Sequence, residues 1–374
     1  MGAGVLSLSK FLSMTEKDFI PAPYGNLPQQ GRVRWQAPSN IALVKYWGKG
    51  RDQIPANASI SFTLDRAATT TSVAYTKRDI RDGFSFELSF EGRPKEDFKP
   101  KIQIFFERIE AYLPFLRDYH FDIETSNSFP HSSGIASSAS GMAALALCLM
   151  DLERQLLPGM GPGDFQRKAS FLARLGSGSA CRSIMGPMVQ WGEHPGIPES
   201  SDLYGMEYPL ALDPVFATYR DTILLVHKGQ KQVSSSLGHQ LMEDHPYAQS
   251  RFVQARKNLD GLRSILATGD LEGFNALVES EALGLHAMML ASSPYFILMK
   301  PATLEIIEKI WAFRRRTGLP LCFTLDAGAN VHLLYPQGVE KQAEAFIEEE
   351  LRAHCQGGQY ISDRVGKGAC KLND

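Results

Sequence analysis

The sequence predicts an α+β fold in two fused domains, with most of its strands early in the chain. Up to about residue 90, segments with alternating or β-rich composition predominate. Later segments mostly repeat apolar residues with a helical period, and a few strand-like runs lie between them. No internal repeat and no low-complexity linker interrupts this order, so we place the domain boundary near residues 205–220.

The individual elements follow from local pattern. The sequence first predicts strands at RVRWQA, SISFTLD, ATTTSVAYT and GFSFELSFEG, a helix at DFKPKIQIFFERIEAYL, a strand at YHFDIETSNS, and helices at 137–156 and GPGDFQRKASFLARLG. It then predicts strands at MVQWGE and TILLVHK, helices between 233 and 316, a strand–turn–strand at LPLCFTLDAGANVHLLYP, and a last helix at EKQAEAFIEEELRAH. Residues 1–30, which contain PAPYGNLPQQG, predict a loosely structured extension.

Bulk composition narrows the class of protein. The 374 residues are 44% hydrophobic and 21% charged, as is usual for globular proteins. A net charge of −2 argues against a general nucleic-acid or anionic-membrane binder, so an anionic ligand needs a local cationic cluster. The five cysteines lack metal-ligand spacing and suit a reducing compartment. No apolar run reaches the roughly 18 residues of a membrane helix, and we expect a cytoplasmic protein.

A serine-rich stretch, NSFPHSSGIASSASGMAALA at 127–146, contains no Asp, Glu, Lys or Arg. It leads into an apolar, alanine-rich helix. The first amides of a helix have no intrahelical partner and lie at the positive end of its dipole, so they bind phosphate well. The Gly-Lys-Ser/Thr of a Walker loop is missing. The residues alone leave two interpretations open, a phosphate cradle or a serine-capped helix with small residues for close packing.

Three further segments carry charged residues that suit a site for a small anionic ligand. Lys45 and Lys49 flank two aromatic residues at the end of a predicted strand, which fits a phosphate site or a solvated strand edge. Arg182 follows the GSGSAC turn at the start of a predicted helix, where a guanidinium matches a carboxylate, caps the C-terminus of a helix or forms a surface ion pair. Asp326 ends an apolar strand before a glycine turn, which suits a catalytic carboxylate or a turn aspartate.

These motifs together resemble a known family. PHSSGIASSAS resembles the glycine- and serine-rich ATP loop of the GHMP kinase superfamily. APSNIALVKYWGK (37–49), GSGSACRS (176–183) and FTLDAGANVHLL (323–334) resemble signatures of the mevalonate diphosphate decarboxylases, in the same order along the chain. The resemblance implies a ribosomal-protein-S5-like ATP-binding domain at 31–210 and a ferredoxin-like domain at 211–374, after an extension at 1–30.

The resemblance also implies residue roles. It implies that Asp326, Lys45 and Arg182 are catalytic, and that Mg²⁺ is held at Ser138. The implied substrate-binding residues are Tyr46, Lys49, Asn57, Ser177, Ser179, Arg182, Ser235 and Ser236. The implied ATP-binding residues are Ser132, Ser133, Gly134, Ile135, Ala136, Ser137, Ser138, Ser140 and Lys231. His239 occupies a position that is often methionine in the family, and no role is assigned to it, to His131 or to His286.

The implied activity is ATP-dependent decarboxylation of mevalonate 5-diphosphate to isopentenyl diphosphate, with release of ADP, phosphate and CO₂, in the mevalonate pathway. Alternatives are a mevalonate 5-phosphate decarboxylase, a GHMP small-molecule kinase and a non-catalytic nucleotide or metabolite sensor. The presence of Tyr46 and Lys49 favours the diphosphate. The cofactors implied are ATP and Mg²⁺, and the implied assembly is a homodimer, without nucleic-acid or membrane partners.

Overall fold

A computed structural model describes residues 14–130, 135–229 and 235–373, apart from the side chains of Ser235 and Ser236. Its strands are β1 (Gln30–Val44), β2 (Ser59–Lys77), β3 (Ser85–Phe90), β4 (Arg93–Pro94), β5 (Tyr119–Asn127), β6 (Met188–Trp191), β7 (Gly205–Glu207), β8 (Tyr219–Leu224), β9 (Cys322–Leu325), β10 (Val331–Pro336), β11 (Tyr360–Arg364) and β12 (Cys370–Lys371). Its α-helices are α1 (Lys99–Ile109), α2 (Ser137–Leu156), α3 (Pro162–Gly176), α4 (Pro214–Ala217), α5 (Ser235–Gln240), α6 (Ala248–Thr268), α7 (Leu271–Leu290), α8 (Pro301–Thr317) and α9 (Glu340–Phe346).

Two sheets organise the described residues, which confirms the predicted two-domain α+β architecture. The first sheet has the order β12-β1-β2-β5-β3-β4, with β6 and β7 continuing from β2. Its pairs are antiparallel except β3 with β5. The second sheet is antiparallel throughout, in the order β11-β8-β10-β9. Helix α2 packs its apolar face on β1 and β2, whereas α8 contributes Ile306 and Ile310 to a core on the second sheet.

The long strand β2 differs from the sequence prediction, because SISFTLD and ATTTSVAYT form one strand and not two. A carboxylate from the other sheet fixes the middle of this strand. Asp363 of β11 accepts hydrogen bonds from the backbone N–H groups of Asp65, Arg66 and Ala67, at 3.0, 2.9 and 2.6 Å. Backbone groups that β1 leaves unpaired there are satisfied by this side chain. The two sheets are therefore joined by hydrogen bonds at that point.

An apolar core shared by both halves fixes their relative position further. Phe62 of β2 lies 5.9 Å from the ring of Tyr219 and 6.3 Å from that of Phe274, both in the second half of the chain. Leu259 and Leu262 of α6 are fully buried in the same cluster. Burial of apolar surface is the main stabilising contribution to such a junction. Side chains from the two halves that meet at this junction are therefore held at fixed positions.

Helix α2 runs from Ser137 to Leu156, the bounds that the sequence predicts. The ends of other helices follow from their capping residues. Asp270 caps α7 by accepting a hydrogen bond from the Gly273 N–H at 2.9 Å. Gly269 adopts a left-handed backbone with φ of 72° and ends α6, as glycine at such a position allows. Within the described part of the chain, none of the helices combines the length and apolarity that a membrane crossing requires.

The expectation of a loosely structured extension is wrong for the part of it that the structure describes. Phe19 is 4% exposed and stacks on Phe171 of α3 with ring centroids 4.1 Å apart. The Tyr24 hydroxyl donates to Glu153 of α2 at 2.7 Å, and the buried Lys168 ammonium donates to the same carboxylate at 2.6 Å. Composition predicts the absence of regular structure there, but it does not predict that single side chains dock into the first domain.

Removal of the Phe19 ring tests whether this segment stabilises the fold. We expect Phe19→Ala to lower the free energy of unfolding by about 3 kcal/mol, since truncation of a buried aromatic leaves a cavity. The neighbouring Ile20→Ala is the control, because Ile20 is 52% exposed and should lose less than about 0.5 kcal/mol. Urea unfolding followed by circular dichroism measures both variants. Equal stability of the two variants would show that the segment is not part of the folded core.

Candidate active site

The junction between the two sheets brings together a lysine and an aspartate that are 281 residues apart in sequence. Lys45 follows β1 directly, and Asp326 follows β9 directly. The Lys45 Nζ lies 3.4 Å from Asp326 Oδ1, and the lysine side chain is only 2% exposed. Burial lowers the pKa of Lys45, whereas Asp326 raises it and Arg182 lowers it. Asp326, with a smaller contribution from Glu281, thus favours the charged form of a buried ammonium.

A buried ion pair of the second half positions the main chain at Lys45. Glu281 of α7 accepts the Lys45 N–H at 2.8 Å, and Arg251 of α6 binds the same carboxylate through two hydrogen bonds, at 2.8 and 2.5 Å. Asn57 donates to the Lys45 carbonyl at 3.0 Å. Because both backbone groups of Lys45 are bound, its side chain has a fixed origin. Among the described residues, Asn57 Oδ1 is a buried acceptor without a hydrogen-bond partner.

Asp326 is also held through its backbone. His286 of α7 lies 3.1 Å from the Asp326 carbonyl through Nε2. Burial lowers the pKa of His286 to about 4, although the hydrogen bond to Asp326 raises it. The ring is therefore neutral at physiological pH, and it donates from Nε2–H to the carbonyl. His286 thus supports the turn that carries Asp326.

Arg182 is buried, which excludes its interpretation as a surface ion pair. It lies near the end of a 3₁₀ helix, Gly178–Ser183, and not at the start of a helix as predicted. Its Nε donates to Asn40 Oδ1 at 3.3 Å, its Nη1 donates to the Ser59 hydroxyl, and its guanidinium lies 5.9 Å from the Trp191 ring. Burial lowers the pKa of Arg182, and Asp326 is one of the groups that raise it. Arg182, Lys45 and Asp326 therefore share one electrostatic environment.

One side of this centre, called the Tyr46 wall below, is formed by Tyr46, Trp191, His239 and Lys49. The Tyr46 ring lies between Trp191 and His239, with centroid distances of 4.7 and 4.3 Å. Its hydroxyl is buried without a hydrogen-bond partner among the described residues, and burial raises the pKa of Tyr46. The Lys49 ammonium donates to Gln53 at 2.8 Å, and burial and Arg108 lower the pKa of Lys49.

A cavity of about 200 Å³ lies beside the first turn of α2. Its apolar lining includes Leu88, Phe90 and Phe98, and its polar lining includes Thr69, Asn127, Ser137, Ser138 and Lys101. The Lys101 Nζ donates to the Ser138 hydroxyl at 3.0 Å. Burial of the ammonium and repulsion by Lys49 lower the pKa of Lys101, although the residue as a whole is exposed to solvent. A flat apolar ring with an anionic tail directed at the helix terminus fits such a cavity.

The serine-rich stretch contributes to this cavity unevenly. Ser137 and Ser138 line it. Ser140 differs from the sequence interpretation, because it is fully buried and its hydroxyl lies 2.6 Å from that of Thr69. Ser140 therefore anchors α2 to β2. Ala136 adopts a left-handed backbone with φ of 47° just before α2, a conformation that costs a non-glycine residue about 1–2 kcal/mol. Ile135 is buried, and its carbonyl accepts the Ser39 hydroxyl at 2.6 Å.

The remaining sequence predictions concern the rims of the site. Ser177 directly follows α3, and Ser179 belongs to the 3₁₀ helix of Arg182. Both are half-buried next to the Tyr46 wall. Ser235 and Ser236 begin α5, but their side chains lie outside the described residues, as do Ser132, Ser133, Gly134 and Lys231.

Sequence reasoning missed four groups that shape the site: Glu281, Arg251, His286 and Lys101. The first three lie on amphipathic helices, and no local motif distinguishes their buried charges from ordinary surface charges. Lys101 lies on a predicted helix, and only the fold shows that this helix borders α2. These residues acquire their roles through contacts between segments that are far apart in sequence, and the pattern of a single segment does not predict such contacts.

The chain has the two-domain GHMP kinase fold of the solved mevalonate diphosphate decarboxylase structures that it resembles. Two family models cover most of the chain: the diphosphomevalonate decarboxylase-like N-terminal domain matches residues 37–201, and the mevalonate 5-diphosphate decarboxylase C-terminal domain matches residues 222–371. The chain therefore belongs to the diphosphomevalonate decarboxylase family.

Individual relatives agree with this assignment. The diphosphomevalonate decarboxylase of Ganoderma lucidum is 34% identical in an alignment of 334 positions that covers 83% of this chain and 80% of that protein. The crystal structure of mevalonate diphosphate decarboxylase from Staphylococcus aureus is 26% identical with a TM-score of 0.77, covering 92% of this chain and 98% of that chain. The complex of MDDEF with MVAPP, AMPPCP and magnesium is 27% identical with a TM-score of 0.78, covering 92% and 100%.

Two arginine–glutamate pairs can be compared to measure how much the buried ion pair that binds the Lys45 backbone contributes to stability. The Arg251–Glu281 pair is 1% and 0% exposed, whereas the Arg220–Glu340 pair is 15% and 32% exposed. We expect Glu281→Gln to lower the free energy of unfolding by about 3–5 kcal/mol, because it leaves a buried guanidinium uncompensated. Glu340→Gln is the matched control and should cost about 1 kcal/mol or less. Urea unfolding measures both variants, and similar losses of unfolding free energy would contradict a special role of the Arg251–Glu281 pair.

Proposed function

We propose that this protein catalyses the ATP-dependent decarboxylation of mevalonate 5-diphosphate to isopentenyl diphosphate, with ADP, phosphate and CO₂ as the other products. The observation that carries this proposal is the Asp326 carboxylate 3.4 Å from the buried Lys45 ammonium, in the same environment as Arg182. A carboxylate among cations can accept a proton from a hydroxyl while the cations hold an acidic substrate. Family membership supports the same reaction.

The charges of the pocket suit a substrate that is anionic at both ends. A guanidinium binds a carboxylate in a fixed, bidentate geometry, which assigns the substrate carboxylate to Arg182. Lys49, with the Tyr46 hydroxyl nearby, suits the diphosphate end. Ser177, Ser179, Ser235, Ser236 and Asn57 are proposed as further substrate-binding residues from their family motifs. The ammonium of Lys45 stabilises the negative charge of Asp326 and leaves Arg182 for the substrate.

The cavity at α2 fits a nucleotide. Its apolar walls accommodate a base, and the polar groups at the α2 terminus suit phosphates. The loop residues Ser132, Ser133 and Gly134, together with Ile135, Ala136 and Lys231, are proposed to contribute to the same site. Among the described residues no group of three or more His, Cys, Asp and Glu could hold a metal ion. Mg²⁺ would instead be held beside the nucleotide phosphates by the Ser138 hydroxyl, once Lys101 no longer donates a hydrogen bond to that hydroxyl.

The chain's own residues account for the steps of the reaction. Bound Mg-ATP supplies the phosphoryl group that turns the 3-hydroxyl into a good leaving group. Asp326 orients that hydroxyl and accepts its proton. Lys45 holds the carboxylate of Asp326 and Arg182 holds the carboxylate of the substrate, so the two anions stay apart and correctly oriented. When phosphate leaves C3, the electrons of the bond between C2 and the carboxyl carbon form the alkene, and the carboxylate held by Arg182 departs as CO₂.

The alternative functions can be distinguished from the proposed one by the products that each forms. A GHMP small-molecule kinase would form ADP and a 3-phosphorylated acid without CO₂, and a sensor would bind ATP without turnover. A 5-phosphate decarboxylase would release CO₂ faster from mevalonate 5-phosphate than from the diphosphate. We expect stoichiometric CO₂ and ADP from mevalonate 5-diphosphate, measured side by side with the monophosphate. ADP without CO₂ from both acids would contradict the proposal.

Other properties are proposed from family resemblance and composition. We propose a homodimer in the cytoplasm, with an extension at 1–30 and domains at 31–210 and 211–374. The models for the two halves of the family stop and start within 20 residues of this boundary, at 201 and 222.

Substitution of Asp326 tests its chemical role. We expect Asp326→Asn to lower kcat by about 10³-fold or more, since the amide cannot accept the proton. Arg182→Lys should lower kcat/KM strongly, because a point charge cannot reproduce two parallel hydrogen bonds. Asp65→Asn, which affects a partly exposed pair with Arg364, is the control and should keep its activity. If Asp326→Asn folded normally and were fully active, Asp326 would not be the catalytic residue.

The two serines of α2 separate a nucleotide contact from a structural one. We expect Ser138→Ala to raise KM for Mg-ATP about tenfold, in line with the loss of a hydrogen bond to a charged group. Ser140→Ala should leave KM for Mg-ATP within about twofold, but it should lower the free energy of unfolding by about 1–2 kcal/mol, since the Thr69 hydroxyl loses a buried partner. Steady-state kinetics and urea unfolding of both variants measure this, and the reverse pattern would contradict the assignment.

A further inference from the structure

The imidazole of His239 lies in the wall of the site, although the sequence gives it no role. His239 is near the end of α5 and is 7% exposed. Its ring lies 4.3 Å from that of Tyr46 and 4.7 Å from that of Trp47, both on the segment that follows β1. The neighbouring Gly238 makes this approach possible, because a Cβ there would lie 2.5 Å from the Trp47 ring. Helix α5 thus brings a second-half side chain against the Tyr46 wall.

The hydrogen bonding of the ring fixes its tautomer. The backbone N–H of Gly48 donates to His239 Nδ1 at 3.0 Å, so Nδ1 is an acceptor without a proton. Gly48 has a φ of 98°, a conformation that glycine adopts readily, and this orients its N–H. The neutral ring therefore carries its proton on Nε2, and that nitrogen is a hydrogen-bond donor.

The surroundings of the ring keep it neutral. Burial, together with the nearby charges of Lys49 and Arg182, lowers the pKa of His239 to about 3. These two cations are the groups that suit the phosphate and carboxylate ends of the substrate. The Tyr46 hydroxyl, a buried group without a partner among the described residues, belongs to the same wall. A neutral donor near these two cations can bind an anionic oxygen without adding another positive charge to the pocket.

We propose that His239 is a further substrate-binding residue, whose Nε2–H donates a hydrogen bond to a phosphoryl oxygen of the substrate beside Tyr46 and Lys49. This inference rests on the proposed function, because it takes the phosphorylated end of mevalonate 5-diphosphate as the ligand. Its consequence is that a phosphoryl group bridges the segment after β1 and helix α5, which come from different halves of the chain.

Two variants of one position test the donor. His239→Met introduces an apolar side chain of similar length that has no donor, and His239→Gln retains an N–H donor. We expect His239→Met to raise KM for mevalonate 5-diphosphate about tenfold, with a much smaller effect on kcat, because the lost hydrogen bond is made before the chemical step. His239→Gln should recover most of that loss. A change in kcat or stability with KM unchanged in His239→Met would show a structural role and overturn the proposal.

A binding measurement separates this proposal from the reaction itself. Inorganic pyrophosphate is titrated into the ¹⁵N-labelled protein, and the side-chain nitrogens of His239 are followed by NMR. We expect the Nε2–H resonance to shift as pyrophosphate binds, with Nδ1 remaining unprotonated, and we expect the binding to weaken in His239→Met. The nitrogens of His286, which bonds a backbone carbonyl, are the internal control.

The outcomes are distinguishable. Without CO₂ release by the unmodified protein the proposed function fails, and the pyrophosphate titration still decides whether His239 binds phosphoryl oxygens. Saturable pyrophosphate binding that leaves the His239 resonances and the affinity of His239→Met unchanged overturns the role of His239.

Discussion

The buried ammonium of Lys45 faces the carboxylate of Asp326 across the junction of the two halves, at 3.4 Å. An ammonium that is 2% exposed has lost its hydration, and it stays charged only where an anion replaces the water. The Asp326 side chain is 27% exposed, and its carboxylate gains the attraction of a cation that solvent screens little. The Lys45 ammonium alone would be costly to bury, so the pair depends on the two domains being correctly joined. The active centre is therefore a property of the junction.

The surrounding structure fixes that junction from several directions. Glu281 and Arg251 bind the backbone of Lys45, His286 binds the backbone of Asp326, and Asp363 binds the middle of β2. Each contact joins a charged or polar side chain of the second half to backbone near the site. Such contacts position side chains without occupying their functional atoms. The cost of burying these groups is offset by hydrogen bonds, which explains why charges are tolerated so deep in the protein.

Sequence patterns predict the parts of this arrangement that are local. The bounds of α2 follow from apolar periodicity after a serine-rich start, and the position of Asp326 follows from an apolar strand that ends in a glycine turn. The family resemblance is confirmed by the matches to both halves. The docking of Phe19, the burial of Ser140 and the pairing of Lys45 with Asp326 depend instead on tertiary contacts. A hydroxyl or an ammonium has the same local sequence signal whether it faces a ligand, a neighbour or solvent.

A crystal structure with mevalonate 5-diphosphate and a non-hydrolysable ATP analogue tests the central claim most directly. The 3-hydroxyl should lie within hydrogen-bond distance of an Asp326 oxygen, with the substrate carboxylate on the Arg182 guanidinium and the terminal phosphoryl group directed at that hydroxyl. The contact between Lys45 and Asp326 should persist in the complex. A hydroxyl that is oriented by a different side chain, with Asp326 still paired to Lys45 and remote from the substrate, would contradict the account.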